Sequence, residues 1–223
     1  MDTNSNNKYS RKIISWQDEA TISRLKESLD HDSLSIVDSD TVLGLLANLK
    51  QSSFQALNIT KGDRGDKPYL ILIGGLDRLS HFVDPSTINL PLQRMLLHCW
   101  PGPVTVIFKA KSGLPVHVVA QDGTIALRCP LFDPLLRLLA HFEGLFSTSA
   151  NKSGCPVPGS LNEVDNALMQ AVSWAVIDNQ RASGQTGQPS TIIDCSGNKI
   201  RVVREGAYPV EELERYYESA FEK

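Results

Sequence analysis

Ser147, Thr148, Ser149 and Asn151 stand almost side by side and run on into Lys152, Ser153 and Gly154. Hydroxyls, an amide and tightly turning backbone offer hydrogen bonds without bulk, which suits a small polar substrate or a phosphate. The apolar pair Leu145 and Phe146 precedes them. That order reads as a buried strand whose carboxyl end opens into a polar loop, the end at which open α/β sheets bind ligands. Taken alone, the stretch equally describes a loop whose Ser and Asn bond to their own backbone. A second hydroxyl-bearing strand end follows 34–37, where Ser39 and Thr41 flank Asp40. Cations accompany these ends: Lys61, Arg64 and Lys67 in one charged loop, then Arg128, then Arg204. Each by itself is an ordinary solvated cation. Together they fit an anionic ligand with two charged parts, such as a polyphosphate beside a carboxylate.

Other chemistries lack their signatures. No H-E-x-x-H, G-x-S-x-G or Walker phosphate loop occurs, so nothing points to a covalent protein nucleophile or to a protein-bound metal. The histidines at 31, 81, 98, 117 and 141 show no ligand spacing, and the four cysteines at 99, 129, 155 and 195 form no C-x-x-C pair. Widely spaced cysteines fit a reducing, cytoplasmic setting. A net charge of −3 argues against a generally basic nucleic-acid coat, although a local basic groove is compatible with it. No apolar run approaches membrane-spanning length, and 1–11 is polar without an apolar core, so no membrane association is expected.

The elements that must position these residues alternate. Helices are expected from Asp18 to about 29, over 53–59, 76–82, 90–98 and 134–142, from Asn162 to about 172, and over 211–221. Strands are expected at 34–37, 69–73, 104–109, 124–128 and 174–177, with a late hairpin pairing 190–194 and 199–204. Trp100-Pro101-Gly102-Pro103 cannot continue a helix and should hand the chain sharply into the strand at 104. With 223 residues, 41% of them hydrophobic, the chain can bury one sizeable α/β core.

In order along the chain, several motifs resemble those of the YrdC-type threonylcarbamoyl-AMP synthases. Asp38 to Leu45 is similar to the family's Pro-Thr-Asp/Glu-Thr-Val-Tyr-Gly-Leu, and Lys61 to Pro68 to its Lys-x-Arg loop. Trp100 to Thr105, Thr124 to Arg128, Ser147 to Gly154, Pro189 to Asp194 and the pair Arg204 and Gly206 correspond to its later motifs. The departures are Asp38, Ser39 and Leu43 for Pro, Thr and Tyr, and Asp63 where the arginine of the lysine loop stands. The resemblance spans about 34–206. It implies a single YrdC-like domain of the short form: a twisted mixed sheet with flanking helices and a concave, polar, locally basic groove. The expected boundaries are a disordered tail at 1–12, the domain at 13–208 and a C-terminal helix at 209–223 packed on it or trailing it.

The implied activity joins L-threonine, bicarbonate and ATP into threonylcarbamoyl-AMP and pyrophosphate, for threonylcarbamoyladenosine in tRNA. By resemblance, Lys61, Arg64, Lys67, Thr124, Ser149, Asn151 and Arg204 bind ATP, with Mg²⁺ accompanying the nucleotide and no tightly bound cofactor. Ser39, Arg128, Ser147 and Ser190 hold threonine, and Arg128 is a natural fork for its carboxylate. tRNA and separate threonylcarbamoyl-transfer proteins are the implied partners. Asp63 in the lysine loop would repel a triphosphate, and Arg64 beside it can take over the missing charge. The alternative is a catalytically weakened YrdC-like protein that binds RNA.

Overall fold

The computed structural model describes residues 9–62, 68–178, 187–217 and 221–222. Asp63, Arg64 and Lys67 of the charged loop, and 181–186 of the Gly/Ser/Gln-rich loop, lie outside the described residues. In chain order the elements are β1 (Ile13–Ser15), α1 (Thr21–Asp30), β2 (Leu34–Val37), β3 (Gly44–Asn48), α2 (Gln51–Lys61) and β4 (Leu70–Leu72). Next come α3 (Leu79–Phe82), α4 (Leu90–Cys99), β5 (Val104–Lys109), β6 (Thr124–Arg128), α5 (Asp133–Leu139) and β7 (Leu145–Ser149). The last are α6 (Asn166–Ala171), β8 (Val172–Ile177), β9 (Thr191–Asp194), β10 (Arg201–Arg204) and α7 (Val210–Tyr217).

All described strands join one twisted mixed sheet in the order β1-β8-β2-β3-β7-β4-β6-β5-β9-β10. Its pairings β1·β8, β8·β2, β4·β6 and β5·β9 are parallel and the others antiparallel. Alternation along each central strand divides the core. Ile36, Leu45, Ile71, Phe146 and Ala175 pack on one face with Leu57 of α2, Met95 and Leu96 of α4, Leu168 of α6 and Leu213 of α7. Their neighbours Val37, Leu46, Leu72, Leu145 and Val176 pack on the other with Leu25 and Leu29 of α1 and Leu135, Leu138 and Leu139 of α5. Burial on both sides explains why these strands read as continuous apolar runs. Among the described residues, the buried apolar side chains of β5, β6 and β9 belong only to the first face. Helices α1 and α5 therefore leave the second face of those strands uncovered.

Several expectations shift here. Strand β7 runs on to Ser149 rather than ending at Phe146, because pairing to β3 and β4 holds its hydroxyl residues in the ladder. Strand β3 begins one residue beyond the loop that the sequence showed only as a strand end. The short β1 escapes a periodicity reading altogether. Asp18 does not cap α1: its carboxylate accepts the Ser15 amide, and the helix begins at Thr21. Of the tail expected at 1–12, residues 1–8 lie outside the described set. Residues 10–12 form a 3-10 turn, and Lys12 Nζ donates to the carbonyls of Met169, Gln170 and Val172 at 2.7–3.3 Å, fastening this segment to the end of α6. At the other end α7 lies against α4, where the His98 and Tyr216 rings stack at 3.7 Å. Residues 218–220 of the expected C-terminal helix, and 223, are outside the described set. No helix among the described residues is long and apolar enough to cross a membrane.

Candidate functional site

Side chains alternate across a strand, so register assigns the uncovered face residue by residue. Arg128 on β6 lies level with Thr105 on β5, Thr105 with Ile192 on β9, and Ile192 with Arg204 on β10. Ala126 and Ile107 form the next row with Leu70 and Ser147. Beyond it Thr124 pairs with Lys109 on one side, and Ser149 pairs with Gly44 on the other. Four residues of β6 separate Arg128 from Thr124, about 13 Å at strand rise. The face thus carries a row with two arginines at one end, Thr124, Ser149 and Lys109 toward the other, and Ala126, Ile107, Leu70 and Ser147 between.

Arg128 is 4% exposed, and three of its donors are engaged. Nε donates to the Gly102 carbonyl at 3.0 Å, Nη1 to Thr41 Oγ1 at 2.9 Å, and Nη2 stands 2.5 Å from Asp40 Oδ1. A guanidinium has five N–H groups; Nη2 is ion-paired to Asp40 without hydrogen-bond geometry, so N–H groups on both Nη atoms have no hydrogen-bond partner among the described residues. Burial pulls its pKa below the ordinary arginine range, and the Asp40 charge opposes that fall. Asp40 Oδ2 accepts the Leu131 amide at 3.0 Å, tying the 38–43 loop to the chain leaving β6. The Trp-Pro-Gly-Pro turn, with a cis Trp100–Pro101 peptide, lies alongside: Gly102 N donates to Cys129 O at 2.8 Å. A Cβ on Gly102 would stand 2.4 Å from Cys99 O, so only glycine lets this turn present its carbonyl to Arg128. Burial, then the charge of Asp40, pushes the neighbouring Cys129 thiol up to about 11, which keeps it neutral. Ser39 Oγ donates to Val42 O at 2.8 Å and meets Thr41 Oγ1 at 3.2 Å.

At the far end of the row, Arg204 donates through Nε and Nη2 to the Ser190 carbonyl, with Nη2 also 3.3 Å from Ser190 Oγ. Ser190 Oγ in turn meets Thr105 Oγ1 at 2.8 Å. Burial, and then the charge of Arg128, lower the Arg204 pKa, so the two guanidinium groups share one field. Asp40 offsets the Arg128 charge, so Arg204 is the less compensated cation of the row. Gly206 packs directly over this junction: a Cβ there would lie 2.3 Å from Pro189 O and 2.6 Å from Ser190 O. Gly206→Ala is therefore expected to displace Ser190 and Arg204 together and to lower catalytic efficiency by about ten- to a hundred-fold, since sub-ångström placement carries that much of a rate. Steady-state kinetics check it, and unchanged efficiency would show that Ser190 has no placed role.

The opposite end is organised by Lys61, 2% exposed at the end of α2. Its Nζ donates to Ser149 O at 2.6 Å, to Asn151 Oδ1 at 3.1 Å and to Asn151 O. Asn151 Oδ1 also accepts the Ser149 hydroxyl, while Nδ2 donates to Cys155 O. An ammonium has three protons, and the acceptors named among the described residues already bind it to the 149–151 loop.

The structure thus brings Ser39, Arg128, Ser190 and Arg204 to one end of the face, Ser147 to its middle, and Lys61, Ser149 and Asn151 to the other end. Arg204, expected with the nucleotide residues, stands beside those expected for threonine. Thr124 is level with the Ser149 end, and its hydroxyl donates to Asp122 at 2.6 Å. Arg64 and Lys67 lie outside the described residues. Of the departures from the motif, Asp38 accepts the Asp178 amide at 2.7 Å and Leu43 is buried in the core. Asp40, Thr41 and Thr105 were assigned no binding role from the sequence. The signal was present for Asp40, because an arginine at the end of an apolar strand needs a carboxylate, and the acidic 38–40 segment follows another strand. Among the described residues no three His, Cys, Asp or Glu gather as a metal cage.

The family model Sua5_yciO_yrdC, described as "Telomere recombination", matches residues 27–206. A putative threonylcarbamoyl-AMP synthase of Methanocaldococcus jannaschii is 31% identical over 192 residues, covering 86% of this chain and 88% of the relative. A threonylcarbamoyl-AMP synthase of Pyrococcus abyssi is 29% identical over 181 residues, covering 79% of this chain; the chain spans about half of that relative, 51%. The crystal structure of Pyrococcus abyssi Sua5 complexed with L-threonine superposes with a TM-score of 0.80 at 27% identity, covering 92% of this chain and 60% of that one.

Proposed function

Because the chain belongs to the Sua5/YciO/YrdC family, we propose that it is a threonylcarbamoyl-AMP synthase, joining L-threonine, bicarbonate and ATP with release of pyrophosphate. The observation that carries this reading is the row of Arg128, Thr105 and Arg204, with the Ser149 and Thr124 hydroxyls farther along the same sheet face. In this reading the Arg128 end takes a carboxylate and the Ser149 end a nucleotide. The relatives named as this synthase, and the threonine in the complex of one neighbour, favour the same assignment.

The reaction asks little covalent chemistry of the protein. The threonine amine combines with carbon dioxide from bicarbonate to give a carbamate. A carbamate oxygen then attacks the α-phosphorus, and pyrophosphate leaves. Rate comes from aligning carbamate with phosphorus and from neutralising charge on the phosphate. In this scheme the Nη donors of Arg128 take the threonine carboxylate, with Ser39, Ser147 and Ser190 around it. Arg204, fixed by Ser190, faces the junction where carbamate and α-phosphate meet. Ser149, Asn151 and Thr124 line the nucleotide end, and Lys61 holds their loop in place. Arg64 and Lys67 are expected to meet the outer phosphates. Mg²⁺ supplies charge neutralisation to the triphosphate and enters with it, held mainly by phosphate oxygens. The adenylate then passes, in the cytoplasm, to proteins that transfer its threonylcarbamoyl group to a tRNA adenosine.

The test is direct. Purified protein with ATP, threonine and bicarbonate is expected to release pyrophosphate only when all three are present, with the adenylate detected by mass spectrometry. RNA binding with a steep salt dependence and no adenylate would replace this reading with that of an RNA-binding protein.

A further inference from the structure

The carboxylate end and the phosphate end of this face are so close that an anion could settle at the wrong one. The distance along β6 is about 13 Å, and a triphosphate carries more charge than an amino acid. A bare guanidinium at position 128 would attract phosphate oxygens at least as strongly as a threonine carboxylate, since arginine forks match both. Arg128 is not bare. Asp40, 8% exposed, holds its charge against Nη2 at 2.5 Å, and the carboxylate is itself anchored by the Leu131 amide. Thr41 and the Gly102 carbonyl fix the other two engaged donors. The pair Asp40 and Arg128 is thus neutral as a unit, while N–H groups on both Nη atoms have no hydrogen-bond partner among the described residues. Arg204 differs: its guanidinium is held by the neutral oxygens of Ser190 rather than by a carboxylate among the described residues.

We infer that Asp40 is a specificity-determining residue: by neutralising Arg128 it keeps inorganic anions and the nucleotide's phosphates out of the threonine subsite, leaving recognition there to oriented hydrogen bonds. Asp40 acts through Arg128 and is a positioning residue, not a catalytic one. Charge attracts any anion, whereas two N–H groups of fixed direction favour a planar carboxylate held at both oxygens. With its partner neutral, Arg128 offers mainly the second.

This inference rests on the synthase reading, and its test separates the two. Asp40→Asn keeps an oxygen for the Leu131 amide and removes the charge. Its expected result is a threonine Kd at least ten-fold weaker by calorimetry without ATP, together with a sulfate affinity at least ten-fold stronger. In kinetics, sulfate is expected to compete with ATP alone in the unaltered protein and with threonine also in Asp40→Asn. A merely structural role would weaken both ligands and would not create that competition. Asp40→Glu retains the charge and is expected to restore the original sulfate pattern. Equal sulfate affinity in the unaltered protein and Asp40→Asn, or competition of sulfate with threonine already in the unaltered protein, overturns the inference. Should the unaltered protein bind no threonine at all, the synthase reading falls. The sulfate arm, which thermal shift reads directly, still decides whether Asp40 screens Arg128. If Asp40→Asn does not fold, the competition pattern of the unaltered protein and of Asp40→Glu decides it.

Discussion

Arg128→Ala is expected to raise the threonine KM about a hundred-fold or more while changing the ATP KM by less than about three-fold. Two charge-assisted hydrogen bonds to a carboxylate, at about 1.5–3 kcal/mol each, correspond to that factor at 1.4 kcal/mol per decade. The ATP term stays nearly still because the Ser149 and Asn151 end is held by Lys61, about four strand residues away and through separate bonds. The substitution also strips Asp40 of its partner, and losing one side of a buried pair costs about 3–5 kcal/mol. Kinetics therefore belong at a temperature where circular dichroism shows the variant folded. Arg128→Lys, which keeps a cation but no fork, is expected to fall between. Equal increases in both KM values would remove Arg128 from the threonine subsite.

The second large effect is expected at Lys61. Lys61→Met has nearly the same length but no protons, so the Ser149 and Asn151 carbonyls and Asn151 Oδ1 lose a common donor in a nearly dry place. Each buried acceptor left unsatisfied costs about 1–3 kcal/mol. A stability loss of about 3 kcal/mol or more is expected by denaturant titration, and kcat should drop about a hundred-fold because the loop bearing Ser149 no longer has a defined position. Threonine binding, measured separately, should change little. A variant that keeps its stability but loses only ATP affinity would instead make Lys61 a direct phosphate ligand.

The sequence carried the helices and strands of the central fold because most are buried on two sides and so show unbroken apolar runs. β2, buried along its whole length, begins and ends where that pattern does. Elements defined by neighbours rather than by pattern were hidden. β1 has three residues and exists by pairing with β8, and β3 opens on Gly44, which a local reading assigns to the preceding loop. The site was legible as a set of residue types, since hydroxyls and cations at strand ends are visible one at a time. Their grouping was not. Arg204 reaches Ser190 through a hairpin register, Asp40 reaches Arg128 across several strands, and Lys61 turns inward to carbonyls, which leave no trace in side-chain identity.

The row with two arginines takes one from the middle of the chain and one from β10, and Ser190, bonded to Arg204 and to Thr105, links the second to β5 once β9 has docked there in parallel. A nascent polypeptide leaving the ribosome therefore exposes Arg128 and its Asp40 partner well before Arg204. Fragments released before β10 would lack the second arginine of the row.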